Sequence, residues 1–182
     1  MELEIIEIGT SDFRTKAGEV DGLFIEPVKT YFDALPECRK ENVAVSNFQG
    51  QIPIFYIPLD KIQSLGLPNW VRGCNSVGEP HPTAARFGWS DHVVADVVEV
   101  VRIKTLLDKY GISAVKELKI DTEGHDIVIL NDFLDTSDIL PDKIVFESNA
   151  LTDKVEEASV VSRLEKLGYF CKKIKSDMHC ER

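Results

Sequence analysis

Short apolar runs rich in β-branched residues alternate along the chain with stretches of helical spacing, and most of the runs close on a polar residue. Residues 3–8 (LEIIEI) run straight into Gly9-Thr-Ser-Asp12, the grammar of a buried strand ending in a turn. Residues 22–26 (GLFIE) repeat the form and stop at Pro27, which cannot continue a central strand. The link between these two strands is short for a parallel crossover, so the first helix is expected to be curtailed or irregular. Residues 28–35 carry Val28, Tyr31, Phe32 and Leu35 at helical spacing before Pro36. Residues 42–46 read as a third strand and 51–57 as an added one. Residues 64–92 show no period, and a structureless loop of that length inside a compact domain is usually functional. Beyond it, 93–101 reads as a strand and 104–110 as a helix closed by Gly111. Residues 117–121 form a strand leading into a helix through Phe133, 143–147 another strand, 155–167 an amphipathic helix ended by Gly168, and 169–174 a last strand. Strands alternating with helices predict a single α/β domain over residues 1–182 with a largely parallel sheet.

Charge narrows the partners. Twenty-one Lys and Arg face 31 Asp and Glu, a net charge of −10, so a polyanion is repelled over most of the surface and nucleic-acid binding is excluded. Apolar residues make up 43% and charged residues 29%, which argues against disorder. No stretch approaches the roughly 18 apolar residues of a membrane span, and the acidic start Met1-Glu-Leu-Glu is unlike a signal peptide. A cytoplasmic protein is expected. Cys38, Cys74, Cys171 and Cys180 make no CxxC pair, so reduced thiols are the simplest expectation. Apolar residues begin at Leu3 without a lead-in, as in a domain cut from a longer polypeptide.

In an open α/β sheet the ligand lies outside the carboxyl ends of the strands, and this sequence concentrates its polar residues there. Gly9-Thr-Ser-Asp12, Glu26, Ser46-Asn47, Asp121-Thr-Glu123 and Glu147-Ser-Asn149 each close a strand. An acid ending the second strand is suited to vicinal ribose hydroxyls, and a glycine after the first lets backbone approach a ligand. GTSD lacks the further glycines that a pyrophosphate demands, which favours a nucleoside ligand without one.

These segments, IIEIG at 5–9, FIEP at 24–27, NVAVSNFQG at 42–50 and above all LKIDTEGHD at 118–126, resemble the FkbM-type methyltransferases over roughly residues 3–175. The loop WVRGCNS at 70–76 and PHPT at 80–83 are similar to part of that family. The first loop departs, being GTSDF where many members have a glycine-rich turn. The resemblance implies a Rossmann-like class I methyltransferase fold: a mostly parallel central sheet, flanking helices and an antiparallel C-terminal strand. It also implies transfer of a methyl group from S-adenosyl-L-methionine to an oxygen, commonly on a sugar or natural product. Carried onto matching positions, it assigns the donor to Glu7, Gly9, Thr10, Ser11, Asp12, Glu26, Pro27, Val45, Ser46 and Asp121.

A hydroxyl is a poor nucleophile at neutral pH and needs a base. Asp121, His125 and Glu123 converge on one strand end and are the candidates, with an N-cap role the structural alternative for Asp121 and its neighbour Thr122. The loop 64–92 is read as an acceptor-binding insertion, with Arg72, Asn75, Ser76 and His81 facing a sugar or glycan and Glu147 beside them. Trp70 and Trp89 are read as covers for a core, and His92, His179 and Cys180 as incidental. No metal is expected, because no tight acidic cluster is visible; Asp121, Glu123 and Glu147 are the alternative, as oxygen ligands suited to magnesium. The rival functions are methylation of a small natural product or lipid headgroup, and a binding module that has lost catalysis. Glycosyltransferase-like neighbour domains are the expected covalent partners in a parent polypeptide.

Overall fold

The structure, a computed structural model, describes residues 1–12 and 14–182; Phe13, the last residue of the GTSDF loop, lies outside the described residues. Strands β1 (Glu2–Ile8) and β2 (Gly22–Ile25) open the chain, followed by α1 (Lys29–Ala34), β3 (Lys40–Glu41), β4 (Ala44–Val45), β5 (Gly50–Tyr56) and α2 (Leu59–Ser64). Next come β6 (Ser76–Val77), α3 (Pro82–Arg86), β7 (Val94–Val101), α4 (Ile103–Tyr110) and β8 (Ala114–Ile120). The chain ends with α5 (Asp126–Thr136), β9 (Lys143–Glu147), α6 (Lys154–Lys166), β10 (Phe170–Ile174) and β11 (Asp177–Glu181).

Among the described residues these strands form two sheets. The larger has the order β10-β11-β9-β8-β1-β2-β3, and the smaller β4-β7-β5-β6. In the larger sheet β1, β2, β3, β8 and β9 run parallel, and β11, the C-terminal strand, is antiparallel to both β9 and β10. Apolar residues of β1, β2, β8 and β9 pack with α4, α5 and α6 into one core that includes Ile6, Leu23, Leu118, Ile129, Phe133, Phe146 and Leu164. On the opposite face Ile5 and Phe24 meet Ala17 and Leu35. Burying such side chains contributes roughly 1.5–3 kcal/mol each. Among the described residues, no helix is long and apolar enough to cross a membrane.

Four sequence expectations change. None of the described residues between β1 and β2 is helical: the crossover is a run of turns held by the buried Glu7, which accepts Thr15 Oγ1 at 2.7 Å and the Lys16 N–H at 3.1 Å. Of the strand expected at 42–46 only Ala44–Val45 is strand, in the smaller sheet, while Lys40–Glu41 before it pairs in the larger one; Asn42 Nδ2 donates to the carbonyls of Glu26 at 2.8 Å and Pro27 at 3.0 Å where the chain turns between them. The segment 64–92 is not structureless: it holds 3-10 turns at Asn69–Gly73 and Ser90–His92 as well as β6 and α3. The C-terminus is a hairpin rather than one strand, and its register sets Cys171 opposite Cys180, where the two are joined in a disulfide. The expectation of four reduced thiols, and of an incidental Cys180, is thereby overturned; Cys38 and Cys74 are free.

Candidate functional site

The parallel strands β1, β8 and β9 end on one side of the sheet, and the smaller sheet with its loops stands over those ends. A cleft of about 410 Å³ lies between them. Its floor is Ile8, Gly9, Thr10 and Ser11 after β1, with Lys119, Asp121, Thr122, Glu123 and His125 around the end of β8. Its walls are Val43 and the smaller sheet's Ala44, Val45 and Ile54, Trp70 and Gly73–Asn75 of the loop, Glu147 of β9, Ser176 of the β10–β11 turn and Asp177 at the start of β11.

Two glycines shape this floor. Gly9 has φ +79°, and a Cβ there would stand 1.9 Å from the Asp121 carbonyl oxygen. Its smallness therefore serves the approach of two strand ends rather than of a ligand. Glu123 and Gly124 turn the chain through positive φ, +53° and +101°, between β8 and α5. Asp126 locks that turn: Oδ2 accepts the Thr122 N–H at 3.2 Å and Oγ1–H at 2.7 Å, while Oδ1 accepts the Glu147 N–H at 3.0 Å. The helix N-cap is His125, not Asp121 or Thr122, so the capping alternative for those two is not what the chain adopts.

The expected catalytic residues come together. Asp121, Glu123 and His125 all line the cleft. Burial, reinforced by the charges of Asp126, Glu123 and Asp177 and opposed by Lys119, pushes the Asp121 carboxyl up to about 7. Burial pulls His125 below its ordinary value, so its ring is neutral near pH 7. His125 Nε2 lies 2.9 Å from Ser46 Oγ, which also donates to Asn47 Oδ1 at 3.3 Å. A hydroxyl with its proton on Asn47 accepts from Nε2–H, and Nδ1 then carries the ring's lone pair. Glu147 lines the cleft with its carboxyl held well above the usual range by burial and by Glu123, Asp126, Asp121 and Asp177.

Among expected donor contacts, Gly9, Thr10, Ser11, Pro27, Val45 and Asp121 line the cleft. Glu7, Asp12, Glu26 and Ser46 do not. Glu7 points away, with Oε1 accepting Lys119 Nζ at 2.7 Å. Glu26 is 2% exposed, and its two oxygens accept the backbone N–H groups of Ser11 at 2.6 Å and Val28 at 2.8 Å. It therefore sits behind the loop instead of facing the cleft, and burial, partly offset by those two amides, pushes its carboxyl up to about 7. Ser46 is turned to His125, and Asp12 to the Arg72 guanidinium in an ion pair.

Of the expected acceptor residues, Asn75 and Glu147 line the cleft. Arg72 is turned to Asp12 and, at 3.2 Å, to Asn69 Oδ1, so it clasps the two loops together rather than facing an acceptor. Ser76 donates to the Glu79 carbonyl at 2.6 Å. His81 Nδ1 accepts the Thr83 N–H at 3.1 Å, and its Nε2 lies 3.1 Å from Glu123 Oε2. Ser76 and His81 border a side cavity of about 200 Å³ that shares Glu123 and His125 with the main cleft. Trp70, read as a core cover, is 45% exposed at the cleft wall and packs edge-on to Phe87 and obliquely on Trp89.

Ser176 and Asp177 join the site without a sequence signal, because the hairpin that carries them was not foreseen. Lys119, Asp126 and Cys74 did have one, as residues of LKIDTEGHD and WVRGCNS. One oxygen each of Asp121, Glu123 and Glu147, the three residues offered as the metal alternative, lies within 4.8 Å of the others, a tight acidic cluster where none was expected.

A family model described as the methyltransferase FkbM domain matches residues 8–171. No curated protein and no solved structure gives a significant match.

Proposed function

The chain belongs to the FkbM methyltransferase family, and from that premise we propose that it is an S-adenosyl-L-methionine-dependent O-methyltransferase acting on a hydroxyl of a sugar or glycan. The observation that carries the reading is the convergence of Thr10, Ser11, Asp121, Glu123, His125 and Glu147, from three strand ends, on one cleft. Its volume, about 410 Å³, is in the range of small-molecule sites, roughly 300–1,000 Å³. The sheet order, with one reversed strand next to the edge, supports the Rossmann-like class I reading.

The residues at the end of β1 fit the donor. Thr10 Oγ1 is buried at the cleft without a hydrogen-bond partner, as is Asn75 Oδ1 on the opposite wall, and such groups are costly unless a ligand completes them. Glu26 contributes by fixing the N–H groups of Ser11 and Val28, which sets the backbone under the donor. The donor supplies an activated methyl carbon: the acceptor oxygen forms the new C–O bond while the C–S bond breaks and its electron pair stays on sulfur. The chain's own work is alignment and proton removal. His125 takes the hydroxyl proton, held in place by Ser46. Asp121 and Glu123 accept hydrogen bonds from the acceptor's hydroxyls, and Trp70 and Asn75 form the wall on which it rests.

The test is a panel of oligosaccharide acceptors incubated with the donor and read by mass for a single methyl gain. Methylation of a lipid headgroup or small apolar scaffold in place of any sugar replaces the acceptor class. Donor binding with no turnover on any acceptor identifies a binding module.

A further inference from the structure

Asp121 from the end of β8, Glu123 from the left-handed turn and Glu147 from the end of β9 reach one point of the cleft from separate parts of the chain. One oxygen of each lies within 4.8 Å of the others. Two cations, Arg14 and Lys119, line the same cleft; Lys119 Nζ donates to Glu7 at 2.7 Å and pairs with Asp121 at 3.9 Å, and neither cation hydrogen-bonds the second oxygen of Glu147. Glu147 is 9% exposed and faces the cleft. Its Oε1 accepts Asn149 Nδ2 at 2.8 Å, while Oε2 is buried without a partner. A carboxylate oxygen buried beside two others and left unbonded is an incomplete arrangement, and a positive ion is what completes it.

From this geometry we infer that the cleft binds a hard divalent cation, of the magnesium, manganese or calcium class, through Asp121, Glu123 and Glu147. The donor set decides the class. Three carboxylates with open water positions match hard cations. The neighbouring set of Cys74, His81 and Glu123 is equally compact and would suit zinc, but its histidine is poorly prepared. His81 already accepts a backbone N–H on Nδ1, so its Nε2 bears the proton and donates to Glu123. The inference shares the cleft with the proposed methyl transfer but stands on the carboxylates alone. Only the ion's use, polarising an acceptor oxygen, rests on that reading.

The experiment is a titration of the purified chain with MnCl2, without donor or acceptor, following loss of the free-ion electron paramagnetic resonance signal. Saturable binding is expected, displaced by magnesium or calcium and weakened at least tenfold in Glu147→Gln and in Asp121→Asn. Glu19→Gln, a carboxyl on the remote β1–β2 connection, should bind like wild type. Circular dichroism of each variant shows that it is folded. No saturable binding at millimolar manganese overturns the inference. So does wild-type affinity in both folded cleft variants, and so does displacement by zinc alone that is abolished in Cys74→Ala. Methyl transfer by a chain that shows no saturable manganese binding removes the ion and leaves the methyltransferase reading standing. Saturable manganese binding by a chain that methylates nothing supports the ion and removes the acceptor reading.

Discussion

Glu26 keeps a carboxyl group against two amide N–H groups where water scarcely reaches, and that placement makes stability depend on pH. Its folded-state value is about 7 against an ordinary 4.5, so the folded chain holds a proton through this window that the unfolded chain has released. The associated stability is fully present below pH 4.5 and is lost as pH rises through 7, about 3 kcal/mol in all. The stability advantage of wild type over Glu26→Gln should therefore shrink by about that much between pH 4.5 and 7.5, read by denaturant unfolding. A difference that stays constant across the range assigns the pH dependence elsewhere. His125 gives a kinetic counterpart. Positioned general bases contribute about 10² to 10⁴ in rate, so His125→Ala should lower kcat by that order and leave donor affinity near wild type, as measured by calorimetry. Turnover at the wild-type rate would remove it as the base. The sequence made His125 legible because the residue lies on the strand-to-helix turn, where strand direction alone sets it at the cleft. It could not show Glu26 turned inward, because a strand-end acid reads the same whether its oxygens meet a ribose or two backbone amides.

Elements show the same division. The segment from β8 into α5 was legible throughout, since local pattern decides both the strand and the helix, and the buried Asp126 ties their junction to β9. The loop 64–92 was not, because its short turns are held by tertiary contacts: Arg72 with Asp12, and His81 with Glu123. Strand β11 was missed for a related reason. Its residues DMHCE are weak strand formers, and pairing on both sides with β9 and β10 supplies what propensity does not. That pairing sets Cys171 and Cys180 face to face, with a sequence separation of 9. A cross-link closing so short a loop contributes roughly 2–3 kcal/mol by restricting the unfolded chain. Reduction should lower the unfolding free energy by that amount, and Cys171→Ser should abolish the response to reductant. Equal stability of the oxidised and reduced forms would show that the hairpin owes nothing to the bond.

On the scale of the whole molecule, the cleft is a seam between two sheets that share a core through Val45 and Val101, and side chains bridge it. Ser46 of the β4 end meets His125, His81 meets Glu123, and Arg72 reaches across to Asp12 while its carbonyl receives Ser11 Oγ at 3.4 Å. The parallel sheet supplies the Gly9–Asp12 loop and the smaller sheet with its insertion supplies the cover, so a ligand lodged in the seam meets both. Such a ligand stabilises the folded chain by mass action: at a concentration about 100 times its Kd the gain is about 2.7 kcal/mol. For a chain of this length each kcal/mol moves Tm by roughly 2–4 °C, so S-adenosylhomocysteine at that excess should raise Tm by about 5–10 °C. Arg72 decides whether the seam acts as a unit. If its role were only to face the acceptor, Arg72→Ala would leave the donor-induced shift intact. Because its guanidinium is bonded to Asp12 of the loop after β1, where the proposed donor would lie, the substitution should weaken S-adenosylhomocysteine binding as well as raise the acceptor KM. The measurement is the product-induced Tm shift of wild type and Arg72→Ala across a concentration series. An undiminished shift in the variant separates the two loops functionally, and the absence of any shift in wild type at millimolar product removes the donor from the cleft.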